Sequence, residues 1–115
     1  MRHSTVMEKY SRMNIPDNIY NWIVNFFKGH THCTNFGDVV SQFRAISASI
    51  IQGSGLGPVS YVVTASDLHP VTQGNSMVKY ADDSYLIIPA SNAHSCADEI
   101  EHVEKWSSVN NLSLN

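Results

Sequence analysis

The chain has 115 residues, 43% of them hydrophobic, which suits one folded domain with a modest core and excludes a disordered composition. Seven basic residues against ten acidic ones leave a net charge of −3, the wrong sign for an autonomous nucleic-acid binder though not for a fragment of one. Two widely separated cysteines, Cys33 and Cys96, are too few for a disulfide scaffold and read as reduced thiols of an intracellular protein. Met1-Arg2-His3 is not followed by the apolar run of a signal peptide, and no stretch nears the about 18 apolar residues of a membrane span, so a soluble chain is expected.

In chain order, RHSTVMEKYSRM reads as a short helix, with Ser4 as its cap and Val6, Met7, Tyr10 and Met13 at helical spacing. Pro16 ends it by biasing Ile15 away from helical backbone. Asp17 is placed to cap a second helix, in which Ile19, Trp22, Ile23 and Phe26 form an apolar stripe with Phe27 beside it, and Gly29 stops it. Trp22 and Trp106, on apolar helical faces, read as core. Beyond Gly29 the period changes, and short β-branched and aromatic runs around Gly37-Asp38 suggest strands joined by a turn.

Gln52-Gly53-Ser54-Gly55-Leu56-Gly57-Pro58 is a glycine-rich corner. The β-branched content of VSYVVTASDL favours a strand while Pro58 favours a first helical turn, and the residues alone leave both open. LHPVTQGNS is loop, with Gly74-Asn75 as its turn, and MVKY and SYLIIPA make a hairpin around Asp82-Asp83. Ser91 or Asn92 opens a last helix. Ala93, Ala97, Ile100, Val103 and Trp106 line one face of it, and Asp98, Glu99, Glu101 and Glu104 form a solvated acidic face. Asn110-Asn111 ends this helix, and LSLN alternates like the start of a strand.

Aspartates are common in turns because their side chains bond nearby backbone. Two side by side at the tip of a hairpin are also what a divalent cation needs. The glycine corner is not a Walker loop, since no Gly-Lys-Ser/Thr follows, and its glycines fit a backbone that turns sharply or passes close to another surface. His30, His32 and Cys33, with His94 and Cys96, offer enough ligands for zinc, but their spacing matches no common finger and polar helix ends account for them.

Taken together, QGSGLGP, a strand-flanked YADD, a following helix and LSLN resemble in that order the reverse transcriptases of non-LTR retrotransposons, over essentially the whole chain. RHSTVMEKYSRMNIP is similar to the segment just after that family's first catalytic strand. The resemblance implies an α+β fold over residues 1–115: a partial polymerase palm, its antiparallel sheet carrying the YADD hairpin and backed by helices on one face, with an adjoining pair of fingers strands. It also implies a helix over GPVSYVVTASDL. The parent activity would be RNA-directed DNA synthesis, on an RNA template with a DNA primer and a dNTP. There, two Mg2+ ions (Mn2+ as a substitute) about 4 Å apart stabilise the attacking and leaving oxygens.

Asp82 would bind these metals and Asp83 would assist, while Gln52, Gly53, Ser54 and Tyr80 would lie near nucleotide and template. Magnesium takes one or two carboxylates together with phosphate and water oxygens, so cations would offset the repulsion within the pair. The family's further metal-binding aspartate falls upstream of Arg2-His3, and its lysine-bearing segment and thumb fall after LSLN. The expectation is therefore a piece truncated at both ends and inactive by itself, with a sheet edge left uncovered. Ile51 replaces the family's usual proline, and Gly55 replaces a branched apolar residue, weakening the next helix by up to about 1 kcal/mol. A non-catalytic nucleic-acid-binding module and a non-functional retroelement relic are the competing readings.

Overall fold

Pro16 and Gly29 bound the second helix, whereas the first ends at Ser11, short of Pro16, and leaves Met13 outside it. In the computed structural model, which describes residues 1–49 and 53–115, α1 runs His3–Ser11 and α2 runs Asp17–Phe27. Gly29 takes a φ of 69°, the left-handed backbone that glycine adopts without steric cost. The caps differ from expectation. Arg2 is the N-cap of α1, and the His3 N–H bonds the Ser47 carbonyl at 3.1 Å, so backbone pairing sets the helix entry and Ser4 lies inside the first turn. Pro16 is the N-cap of α2; Asp17 is its first residue and acts through its charge on the positive end of the helix dipole.

The chain forms two compact units, Met1–Ser49 and Ile50–Asn115. In the first, Val6 and Tyr10 of α1 and Ile23 and Phe27 of α2 are buried together with Met1 and His3. The His3 ring tilts against Phe27 at 4.8 Å, and its Nε2 lies 2.9 Å from the Ser49 carbonyl oxygen. The buried stripe of α2 is therefore Ile23 and Phe27. Ile19 and Trp22 point to solvent, and Trp22, at 57% exposure, is not core but stacks on Phe26.

β1 (Thr31–His32) pairs antiparallel with β4 (Arg44–Ala45), and β2 (Asn35–Phe36) with β3 (Val39–Val40), around the expected Gly37-Asp38 turn. Between these ladders residues 33–34 face residues 41–43, an extra residue that acts as a bulge. Ser41 spans it: its N–H bonds the Thr34 carbonyl at 2.9 Å, and its Oγ accepts from the Thr34 N–H at 2.8 Å.

In the second unit, α3 covers Leu56–Ala65, so the ambiguous VSYVVTASDL is helical for most of its length, as the resemblance implied. Its buried positions are Gly57, Ser60, Val63, Thr64 and Ala65, while Val59 and Val62 face out. Small residues line the packed side, and the Thr64 hydroxyl is satisfied within the helix by the Ser60 carbonyl at 2.8 Å. β5 (Ser76–Tyr80) and β6 (Asp83–Ile87) form an antiparallel hairpin. A 3-10 turn, Ala90–Ser95, leads into α4, Cys96–Val109, which Asn110 and Asn111 close, Asn111 at a φ of 55°. LSLN is not a strand, and Leu112 N–H instead bonds back to the Ser107 carbonyl at 2.9 Å.

The fold is thus mixed α+β. The continuous sheet expected from the resemblance is absent among the described residues, where three separate two-stranded antiparallel ladders stand in its place. Alternation specifies a strand but not its second neighbour, and here each strand pairs once. Cys33 and Cys96 are both free thiols. Among the described residues no helix is long and apolar enough to cross a membrane.

α4 buries a face that only partly matches the one its apolar residues mark. Glu99, Ser107 and the C-cap Asn110 are buried and Val103 and Trp106 half-buried, whereas Ala97 and Ile100, and Ala93 in the preceding turn, are exposed. Glu99 is therefore not part of a solvated acidic face. Its Oε2 accepts from the Val71 N–H at 3.1 Å, and its Oε1 accepts from the Thr72 N–H and the Asn75 Nδ2, both at 2.8 Å. Asn75 also donates to Ser95 Oγ at 3.0 Å, and Asn92 donates to the Gln73 carbonyl and to Asn75 Oδ1, both at 2.9 Å. Burial pushes the Glu99 carboxyl up, but the bonds from Asn75, Thr72 and Val71 outweigh it and hold it below the ordinary carboxylate value. This network clamps the loop that leads into β5 onto the start of α4.

Candidate functional site

The register of the β5–β6 hairpin fixes what its tip presents. Ser76 pairs with Ile87, Val78 with Tyr85, and Tyr80 with Asp83. The turn is therefore Ala81-Asp82, and Asp83 is the first residue of β6 rather than a turn residue. A turn at Asp82-Asp83 would instead pair Ala81 with Ser84 and Tyr80 with Tyr85, shifting every cross-strand partner by two while leaving the same residues on each face. Ala81 supplies the positive φ, 50°, that a tight two-residue hairpin loop needs.

Alternation then sorts the side chains. Val78, Tyr80, Asp83, Tyr85 and Ile87 share the outward face, with Tyr80 79% exposed. Met77, Lys79 and Leu86 are half-buried on the inward face. Asp82 and Asp83 are exposed, and among the described residues neither carboxylate has a hydrogen-bond or ion-pair partner. Their charges are nonetheless felt by α3. Burial, and after it the charges of Asp82 and Asp83, push the Tyr61 phenol above its ordinary value. Tyr61 was no candidate in the sequence reading; one tyrosine in a helical run carries no signal until the hairpin is placed.

The glycine corner is only partly in view. Gln52, and with it the Ile51 substitution, lies outside the described residues. Gly53 has a φ of 79°, so it is required by conformation, and a side chain there would meet nothing within 4 Å. Gly55 is equally open, and it is the N-cap of α3 rather than an interior residue. The penalty expected for it inside a helix therefore shrinks to a few tenths of a kcal/mol, about what glycine costs at that position. Ser54 Oγ accepts from the Gly57 N–H at 3.0 Å, which gives Ser54 a structural role at the start of α3.

Among the described residues no three His, Cys, Asp or Glu side chains come together as a metal site. What the hairpin offers is a pair of hard, solvent-facing carboxylates without protein partners. This donor set fits a magnesium ion that draws its other oxygens from water and phosphates.

No family model matches the chain, and no solved structure matches it. In sequence it is similar to the RNA-directed DNA polymerase from mobile element jockey of Drosophila melanogaster, 25% identical over 124 aligned residues that cover 98% of this chain and 13% of that protein.

Proposed function

We propose that the chain is a segment of the catalytic core of an RNA-directed DNA polymerase, its β5–β6 hairpin the metal-holding element of a palm. The observation that carries this reading is the exposed, unpartnered Asp82–Asp83 pair at a tight β-turn, in a chain similar over nearly all its length to part of such a polymerase. Asp82 and Asp83 hold the cation, Asp82 from the turn and Asp83 from the strand. Bound there, magnesium supplies charge stabilisation to the attacking primer hydroxyl and the leaving phosphate. The protein's own part is to keep two negative oxygens pointed at solvent on a rigid ladder, so that little ordering is needed when the cation and nucleotide arrive. Gly53 and Ser54 shape the corner that opens α3, and Tyr80 stands next to the turn for contact with template or nucleotide. RNA template, DNA primer and dNTP are the ligands this implies.

The test is a Mn2+ titration of the purified chain, read by paramagnetic broadening of backbone amides. Broadening centred on residues 81–84, lost in the Asp82→Asn, Asp83→Asn variant, is the expected result. Broadening elsewhere, or broadening that survives those substitutions, removes the hairpin from metal binding. RNA binding that ignores both the metal and the substitutions would favour the non-catalytic module instead.

A further inference from the structure

Lys79 is a half-buried lysine on the inward face of a strand, three residues before the acidic turn. Its Nζ donates to the carbonyl oxygen of Ala65 at 2.6 Å and to that of Leu68. These carbonyls lie at and just past the C-terminal end of α3, where helix carbonyls lack intrahelical partners and the helix dipole is negative. A cation there answers both needs. The bond also joins β5 to α3 at a defined point.

From that point both elements can be followed towards Tyr61. Along β5 the chain advances about 3.3 Å per residue, so the turn lies roughly 10 Å beyond Lys79. Back along α3, Ala65 to Tyr61 is four residues, or about 6 Å, and both positions share a helix face. Burial, and after it the charges of Asp82 and Asp83, raise the Tyr61 phenol, in keeping with a turn on the Tyr61 side of the Lys79 contact. The Glu99 network anchors the other end of the strand, on α4, but does not touch α3.

We propose that Lys79 is a positioning residue for the acidic turn: by bonding the Ala65 carbonyl that ends α3 and the Leu68 carbonyl just beyond it, Lys79 fixes where Asp82 and Asp83 stand relative to that helix, and hence to the Gly53-Ser54 corner at its other end. This rests on the reading of Asp82 and Asp83 as cation ligands. Lys79 acts through them and touches no substrate.

The test compares Lys79→Met, which keeps most of the aliphatic stem and loses the ammonium, with Lys79→Arg, which keeps charge and donors. One readout needs no metal: the titration of Tyr61, followed by NMR and assigned with Tyr61→Phe. Removing a positive charge would by itself raise a phenol. A fall towards the ordinary tyrosine value in Lys79→Met is therefore the expected sign of a turn that has moved away. Adding Asp82→Asn and Asp83→Asn should lower Tyr61 further in the wild type and change little in Lys79→Met, a coupling that a purely structural lysine would not produce. The second readout is Mn2+ affinity, expected to drop about tenfold in Lys79→Met, the lower end for an outer-shell partner, and to recover in Lys79→Arg.

The inference is overturned if Lys79→Met leaves Tyr61 and Mn2+ affinity as in the wild type. If Lys79→Met does not fold, Lys79→Arg decides alone: a folded variant without the coupling between Tyr61 and the aspartates also overturns it. Absence of Mn2+ binding in the wild type would instead sink the metal-site reading, while the Tyr61 coupling still reports whether Lys79 sets the turn.

Discussion

Glu99 and the Asp82–Asp83 pair belong to the same unit and carry the same chemical group, but in opposite settings. Glu99 is buried and accepts from two backbone N–H groups and one side-chain amide. Asp82 and Asp83 are exposed and have no such donors. A carboxylate taken out of water is tolerable only when its oxygens are bonded. One left in water, beside a like charge, contributes nothing to the fold and stays available to a ligand. The contrast separates an acid that holds the structure from acids that the structure holds out.

Replacing Glu99 is the strongest way to break this contrast. Glu99→Ala leaves the Val71 and Thr72 N–H groups and the Asn75 amide without their acceptor, and should cost about 2 to 3 kcal/mol in urea unfolding. Glu99→Gln keeps one acceptor oxygen but turns an NH2 group towards a donor, so it should not restore full stability. The pH dependence follows from the lowered carboxyl value in the fold. Because the folded value lies below the unfolded one, the stabilisation is complete above the ordinary carboxylate range and is lost as pH falls through the lowered value. Unfolding midpoints of wild type and Glu99→Gln should therefore converge on acidification. Midpoints that stay equally far apart would show that the Glu99 charge is not what matters.

Gly74 tests the same network from its loop side. Its φ is 91°, and an added Cβ would lie 3.1 Å from Asn92 Nδ2, the amide that reaches Gln73 and Asn75. Gly74→Ala should destabilise by about 1 to 2 kcal/mol, through backbone strain and displacement of Asn92. A neutral outcome in thermal unfolding would mean that the loop is held by contacts other than this amide.

The sequence made one side of this contrast legible and hid the other. Proline, glycine and asparagine marked element ends correctly at Pro16, Gly29, Gly37 and Asn110-Asn111, because their backbone restrictions are local. The hairpin carrying the aspartates was legible for the same reason, though its register was not. Tyr80 facing Asp83 depends on which single residue takes the positive φ, and that residue is an alanine. The role of Glu99 was not legible. Helical periodicity sorted it with Asp98 and Glu104 as surface, and its partners lie on a loop more than twenty residues earlier. Polar pairing at that range has no periodic signature. The same limit applies to α2, where hydrophobicity alone could not tell buried Phe27 from exposed Trp22.

The turn itself sharpens the comparison from the other side. Ala81 holds a φ of 50°, which glycine adopts more readily, so Ala81→Gly should stabilise the hairpin by about 0.5 to 1 kcal/mol while leaving metal binding intact.

The smallest effect on stability is the most informative. Asp82→Asn and Asp83→Asn each remove a solvated charge with no protein partner, so neither should change stability by more than about 0.5 kcal/mol in metal-free buffer. Any gain should come from relief of repulsion between neighbours, and should fade as salt screens it. Magnesium then separates the variants. A ligand that binds only the folded chain raises its stability with the logarithm of concentration once binding is established. The wild-type midpoint should therefore climb on adding MgCl2, beyond the change seen with NaCl at equal ionic strength, and the Asp82→Asn midpoint should not. If both climb together, the cation is acting elsewhere. The aspartates would then be ordinary turn residues, and their exposure would carry no chemistry.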